Sequence, residues 1–117
     1  MTTSTLKQKK CQPCEGMEKP LGTVEVKKLV QETPGWKADS ESKSISREYI
    51  MKDFLAGVKA IEKITEIAQA EDHHPDLHLT GYRKLKVVLS THKIGGLSEN
   101  DFIVAAKINA LEMDLKK

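Results

Sequence analysis

A change in the spacing of apolar residues at Pro75 is the feature that most constrains how this chain folds. Before the proline, apolar residues recur every three or four positions along 53–71, at positions 54, 58, 61, 64 and 68, which is the period of one helical face. After it, apolar and polar residues alternate along 82–91, as they do in a strand with one buried face. Because proline interrupts a helix, one helix must end and a strand pair must begin near position 75.

The remaining elements are predicted from capping residues, turns and alternation: helices over 23–32 and 98–115, and strands over 36–38, 44–50 and 77–80. Thr23, Asp53 and Ser98 are the expected helix caps, and Ser98 begins an S-x-x-D capping signal that Asp101 completes. The order helix, two strands, helix, two strands, helix predicts an α+β fold. In such a fold the helices pack on one face of an antiparallel four-stranded sheet.

The charge distribution divides the chain into a basic arm and a neutral domain. Four lysines and two glutamates lie in residues 1–20, so the 19 basic and 17 acidic residues of the whole chain leave 15 of each in residues 21–117. We therefore expect a flexible arm over 1–20 and one folded domain over 21–117. A neutral domain in a chain with only 4% aromatic residues lacks the basic stripe and stacking platforms of a nucleic-acid binder.

The sequence carries none of the usual signals for a membrane or a secretory pathway. Its apolar runs are far shorter than the ~20 residues of a transmembrane helix, and its first residues lack the apolar stretch of a signal peptide. We therefore expect a protein of the cytoplasm or the nucleus, with no membrane partner. The two cysteines, Cys11 and Cys14, would supply half of a four-ligand zinc site. We interpret them as reduced thiols on the arm, with a redox or metal role as the alternative.

All four histidines lie within one short window: His73, His74, His78 and His92. Imidazole has an ordinary pKa of ~6.5, so it can both take and give a proton near neutral pH. The predicted hairpin begins just after the first two histidines and ends at His92, so it would bring three imidazoles to one cleft. His78 alternates with Leu77 and Leu79 and is expected to point elsewhere.

Two other interpretations of the histidines are exposed, inactive side chains and a zinc site. Adjacent histidines rarely both reach one metal, and the preceding helix lacks an H-E-x-x-H pair. The sequence also lacks a glycine-rich phosphate loop and a serine or cysteine nucleophile motif. If the histidines are not simply exposed and inactive, the sequence therefore predicts proton transfer that needs neither a metal nor a cofactor.

Four motifs give the chain a resemblance to a known family: Glu71-Asp72-His73-His74-Pro75-Asp76-Leu77, Tyr82, Ser90-Thr91-His92 and Gly96-Leu97-Ser98-Glu99-Asn100-Asp101. In type and spacing they resemble the pterin-4a-carbinolamine dehydratase family, above all its plant and protist branch. The resemblance extends over about residues 21–113. The chain departs from the family's pattern at Leu77, where animal members carry tryptophan, and at Gln69, where a carboxylate is frequent.

The resemblance implies dehydration of 4a-hydroxytetrahydrobiopterin to quinonoid dihydrobiopterin and water, which recycles the cofactor of aromatic amino-acid hydroxylases. It implies three catalytic histidines, with His73 and His92 as the acid/base pair and His74 as the residue that orients the pterin ring. Pterin contacts are expected from these histidines and from five neighbours: Asp72, Pro75, Ser90, Thr91 and Lys93. Asp101 would either orient a histidine or only cap its helix. Tyr82 would belong either to the core or to the pocket wall.

The resemblance also implies a homodimer or a homotetramer. The alternative function is that of a non-catalytic member, which acts as a protein assembly factor or a transcriptional coactivator. Its partner would then be another protein, such as a hydroxylase or a transcription factor. A member of that kind would be expected to lose a pocket histidine, whereas this sequence retains all three.

Overall fold

Three α-helices alternate with two pairs of strands in residues 20–116, the part of the chain that the computed structural model describes. The helices are α1 (Thr23–Gln31), α2 (Phe54–Glu71) and α3 (Glu99–Asn109). The strands are β1 (Lys37–Ala38), β2 (Ile45–Ile50), β3 (Asp76–Thr80) and β4 (Lys84–Leu89). The predicted order of elements is confirmed. The expected basic arm, except for Pro20, and both cysteines lie outside the described residues.

The four strands form one antiparallel sheet in the order β1-β2-β4-β3. Its central pair, β2 and β4, is in register from Ile45 opposite Leu89 to Ile50 opposite Lys84. Every second residue of β4 is buried, and these side chains face the helices: Leu85, Val87 and Leu89. The predicted α+β fold, with its helices on one face of the sheet, is confirmed. None of the helices in residues 20–116 is long and apolar enough to cross a membrane.

Helix α3 lies at the centre of the core. All its residues from Asn100 to Ala106 are buried, and so is Ile108. Helix α2 packs beside it through a buried face of mostly small residues: Ala56, Gly57, Ala60, Ile64 and Ala68. The predicted apolar face of α2 is therefore wrong at its N-terminal end, where Phe54 is 56% exposed. Small residues allow close approach to the sheet: a β-carbon at Gly57 would lie 2.9 Å from the Leu79 side chain.

Two predicted helix ends differ from the structure. Thr23 is the first residue of α1 and not its cap; the cap is Gly22, whose N–H donates to the Glu25 carboxylate at 3.2 Å. Helix α3 ends at Asn109 and not near Leu115. The chain after α3 instead runs along the end of β2, because the backbone N–H of Lys116 donates to the carbonyl of Ile50 at 2.9 Å.

Asn109 ties the C-terminal end of α3 to the first hairpin. Its side-chain oxygen accepts hydrogen bonds from Trp36 Nε1 at 2.9 Å and from Arg47 Nη1 at 2.6 Å. Its amide nitrogen donates to the carbonyl of Pro34 at 3.0 Å. Since Trp36 is buried, its indole N–H depends on this partner.

We predict that Asn109→Ala lowers the free energy of unfolding by about 2–3 kcal/mol, because it leaves the buried Trp36 N–H unpaired and removes a bond to a charged group. Urea denaturation followed by tryptophan fluorescence measures the change. Glu41→Ala, which removes an exposed carboxylate 3.9 Å from Lys43, serves as the control and should change it by less than about 0.5 kcal/mol. Equal stability of the two variants would contradict the prediction.

Candidate functional site

Three segments of the chain meet at the carboxylate of Asp101, which is fully buried. Its Oδ1 accepts a hydrogen bond from Nε2 of His73 at 2.6 Å. Its Oδ2 accepts one from the hydroxyl of Thr91 at 2.7 Å and one from the backbone N–H of Ser98 at 2.9 Å. The carboxylate therefore connects the end of α2, the turn after β4 and the beginning of α3.

The end of α2 places the first two histidines. Asp72 takes a left-handed conformation with φ 51°, and the N–H of His73 returns to the carbonyl of Ala68 at 3.2 Å. Pro75 then requires His74 to be extended, so the chain turns away from the helix axis. Lys107 of α3 lies 3.7 Å from the Glu71 carboxylate and joins the last turn of α2 to α3. The end of α2 is thus held against α3 close to the Asp101 pair.

A short loop after β4 holds the fourth histidine. The N–H of Thr91 donates to the carbonyl of Gly96 at 2.7 Å, and this bond closes the loop. Within it, His92–Ile94 forms one turn of 3-10 helix, in which His92 and Lys93 are exposed. The sequence placed His92 at the end of a strand, and this was wrong because β4 ends at Leu89. His92 nevertheless follows directly after a residue that is bonded to Asp101.

The acceptors beside His73 and His74 decide which ring nitrogen of each is free. A carboxylate and an amide oxygen can only accept, so the nitrogen that faces them must carry the proton. His73 therefore donates from Nε2 to Asp101, and His74 donates from Nε2 to Oε1 of Gln69 at 2.7 Å. In both rings Nδ1 is then the nitrogen without a proton, and it can accept a hydrogen bond when the imidazole is neutral.

The two anchored histidines differ in exposure. His73 is 8% exposed and its partner Asp101 is inaccessible, whereas His74 is exposed. When the His73 imidazole is protonated, its contact with Asp101 becomes a buried ion pair. In that pair the ring nitrogen and the carboxylate oxygen lie 2.6 Å apart. This arrangement suits an imidazole that gains and loses a proton during a reaction.

The structure brings together only some of the predicted site residues by direct bonds. His73, Thr91 and Asp101 form one hydrogen-bonded group, and Asp101 makes the contacts of both alternatives that the sequence left open, one to His73 and one to the N–H of the α3 cap residue. The others flank this group in sequence: exposed Asp72, His74, His92 and Lys93, and half-buried Pro75 and Ser90.

Tyr82 lies away from this group, and the prediction that it belongs to the core was wrong. Its place in the pocket wall stays a prediction. It is 59% exposed in the turn between β3 and β4, with a φ of 57°, and its ring lies beside the guanidinium of Arg83 at 5.2 Å. The strand that separates this turn from Pro75 has five residues, or about 16 Å at ~3.3 Å per residue. Tyr82 is exposed because it lies in a tight turn, where none of α1, α2 and α3 covers it. The alternation of buried and exposed side chains along β3 and β4 therefore does not extend to this residue.

Sequence reasoning missed two contacts in and around the group, one made by Gln69 and one made by Ser98. Gln69 was noted as a departure from the family pattern, yet its amide orients His74. Ser98 was predicted as a cap, but its hydroxyl also lies 2.8 Å from that of Thr91. For Gln69 the available signal was its position, five residues before His74 and within the last turns of a helix. Within residues 20–116, the structure contains no cluster of three or more histidine, cysteine or acidic side chains that could hold a metal ion.

Comparisons with known proteins find matches over most of the chain. The family described as pterin 4 alpha carbinolamine dehydratase matches residues 19–111. A relative from Halorhodospira halophila, named "Putative pterin-4-alpha-carbinolamine dehydratase", is 40% identical over 92% of this chain and 97% of its own length. The mitochondrial pterin-4-alpha-carbinolamine dehydratase 2 of Arabidopsis thaliana is 39% identical over 93% of this chain and 60% of its own length.

A solved structure shares the fold. The crystal structure of a transcriptional coactivator/pterin dehydratase from Brucella melitensis superposes with a TM-score of 0.72 at 28% sequence identity. The match covers 78% of this chain and 96% of the other. The arrangement of three helices and four antiparallel strands is thus common to both proteins.

We predict that Asp101→Ala lowers the free energy of unfolding by about 3–5 kcal/mol, because three buried donors lose their acceptor. Asp53→Ala is a matched control, since Asp53 also caps a helix but is exposed and accepts a single N–H, that of Ala56 at 2.8 Å. Its loss should cost about 1 kcal/mol. Urea denaturation measures both, and a cost at Asp101 no larger than that at Asp53 would contradict the proposed network.

Proposed function

The chain belongs to the pterin 4 alpha carbinolamine dehydratase family, and we propose that it dehydrates 4a-hydroxytetrahydrobiopterin to quinonoid dihydrobiopterin and water. One observation carries the proposal: His73 and Asp101 form a buried pair, bonded at 2.6 Å, and two further histidines are close to this pair in the chain. His74 follows His73, and His92 follows Thr91, which is bonded to Asp101. An acid and a base that work near neutral pH are what this reaction needs.

The reaction rearranges bonds without oxidation or reduction. The bond between C4a and the hydroxyl oxygen breaks, and this oxygen takes a proton from an acid and leaves as water. A base removes the proton from N5, and the electron pair of that N–H bond forms the new double bond to C4a. Two proton transfers are therefore sufficient, and neither a metal nor an external electron acceptor takes part.

Each histidine receives a role from its surroundings. His73 is one member of the acid/base pair, since the buried Asp101 carboxylate accepts from its Nε2 at 2.6 Å and fixes the ring. We assign His92 as the other member, because it follows Thr91, which is bonded to Asp101, and because its side chain is exposed. His74, held by Gln69, orients the pterin ring.

The surrounding residues would shape the pterin site. We assign pterin contacts to Asp72, Pro75 and Lys93, each next to one of the three histidines in the chain, and to Ser90, which precedes Thr91. Assembly as a homodimer or a homotetramer, and a cytoplasmic location, remain predictions from the sequence.

A second function, as a protein-binding coactivator, is suggested by the name of the Brucella melitensis protein, a transcriptional coactivator/pterin dehydratase. In that case the partner would be a protein and the histidines would be dispensable. The retention of all three histidines, with His73 paired to a buried carboxylate, favours the dehydratase. Turnover of the carbinolamine by the purified protein distinguishes the two functions.

We predict that His73→Ala and His92→Ala each lower kcat by about 10²–10⁴-fold, because each removes one positioned proton transfer. His74→Ala should also raise KM, since a contact that orients the ring serves the ground state and the transition state alike. Stopped-flow absorbance of 4a-hydroxytetrahydropterin breakdown measures both constants.

His78→Ala is the matched control for these variants. His78 is an exposed histidine on β3, between half-buried Leu77 and Leu79, so it lies on the opposite face of the sheet from the core. Its replacement should change kcat by less than twofold. Equal losses in His78→Ala and His92→Ala would exclude the assignment of His92.

Activity should survive dialysis against a chelator, since the proposed chemistry uses only imidazole groups. We expect the rate after dialysis against EDTA to stay within about 20% of the untreated rate. Loss of a catalytic group would instead lower the rate by about 10²-fold or more, so the two outcomes are easily distinguished. A loss that added Zn²⁺ restores would show that metal takes part and would overturn the proposed mechanism.

A further inference from the structure

We propose that Thr91 is a positioning residue, which fixes the Asp101 carboxylate so that its other oxygen stays on His73. The inference rests on the proposed function, because it concerns the same acid/base group. It replaces the sequence prediction that Thr91 contacts the pterin.

The direction of the hydrogen bonds around Thr91 follows from the chemistry of its neighbours. The Thr91 hydroxyl lies 2.7 Å from Oδ2 of Asp101, and a carboxylate only accepts, so Thr91 donates its single hydroxyl proton there. The Ser98 hydroxyl lies 2.8 Å from the same Thr91 oxygen and must therefore be the donor in that contact. The result is a chain that runs from Ser98 through Thr91 to Asp101.

The polar atoms of Thr91 are already used within the protein. Its residue is only 2% exposed, and its hydroxyl is bonded to Asp101 and Ser98. Its backbone N–H donates to Gly96, and its carbonyl accepts from Ile94 at 3.2 Å. The side chain of Thr91 thus faces the carboxylate and not a ligand.

Two donors on Oδ2 determine where Oδ1 lies. A carboxylate turns about a soft bond, and the donors of Thr91 and Ser98 hold one oxygen in place from two directions. The planar group then has its second oxygen at a defined position, 2.6 Å from His73. Without the Thr91 hydroxyl, only the backbone N–H of Ser98 would hold Oδ2, and the bond to His73 would lose its fixed geometry.

The test compares three variants of the full chain: Thr91→Val, Thr91→Ser and Thr33→Val. Valine has the shape of threonine but lacks the hydroxyl, so Thr91→Val should lower kcat by about tenfold to a hundredfold, the range for losing one bond to a charged group. KM should stay within twofold, because the side chain does not touch substrate. Thr91→Ser should restore at least a third of the wild-type kcat.

Thr33→Val is the control for removing a buried threonine hydroxyl elsewhere. Thr33 is fully buried, and its hydroxyl donates to the carbonyls of Leu29 and Val30, both at 3.3 Å. This variant should lose stability but keep kcat within twofold. A raised KM with unchanged kcat in Thr91→Val would overturn the inference and support direct contact with the pterin. A loss of kcat in Thr33→Val equal to that in Thr91→Val would also overturn it, because the loss would then follow from lower stability.

A measurement without substrate separates this inference from the proposed function. The ring nitrogens of His73 are followed by ¹⁵N NMR in the free protein, and Thr91→Val should change their signals, whereas Thr91→Ser and Thr33→Val should not. If wild-type protein has no dehydratase activity but shows this pattern, the proposed function fails and the positioning role stands. Unchanged His73 signals in Thr91→Val would overturn the positioning role, whether or not the protein is active.

Discussion

The buried carboxylate of Asp101 is the constraint on which the rest of the site depends. A charged group inside a protein is costly unless hydrogen bonds replace its water, and here His73, Thr91 and Ser98 supply three donors. These donors come from separate segments, so the carboxylate can be satisfied only when the segments are assembled. The same interaction therefore stabilises the fold and sets the geometry of the candidate acid/base group.

The position of this carboxylate on α3 gives the site a rigid support. Helix α3 is buried along most of its length, and its far end is fixed by the bonds of Asn109 to Trp36 and Arg47. His73 is hydrogen-bonded to Asp101 of this helix, whereas His74 and His92 lie at the surface, where a ligand can reach them. The site therefore combines one buried imidazole, held by a carboxylate, with two exposed ones.

Much of the fold could be predicted because it depends on local patterns. The 3.6-residue period before Pro75 and the alternation after it are visible in the sequence, and Asp53 caps α2 as expected. The errors lie where distant residues compete with local preference. Phe54 continues the apolar period of α2, yet the helix buries its small residues, because these allow it to approach Leu79. Helix α3 stops before Leu115, since the following segment pairs with the end of β2 instead.

By itself, the sequence determined the order of the elements, the location of the histidines around one predicted hairpin and the capping signal at Ser98. Only the tertiary structure decided which groups pair. Asp101 and His73 are 28 positions apart, and a carboxylate in a capping motif carries no local sign that it will also hold an imidazole. Thr91 likewise reads as a pocket residue beside His92, but the closed loop turns its hydroxyl inward to Asp101. Periodicity and capping act over a few residues and can be read along the chain, whereas hydrogen bonds between segments exist only after the sheet and helices have packed.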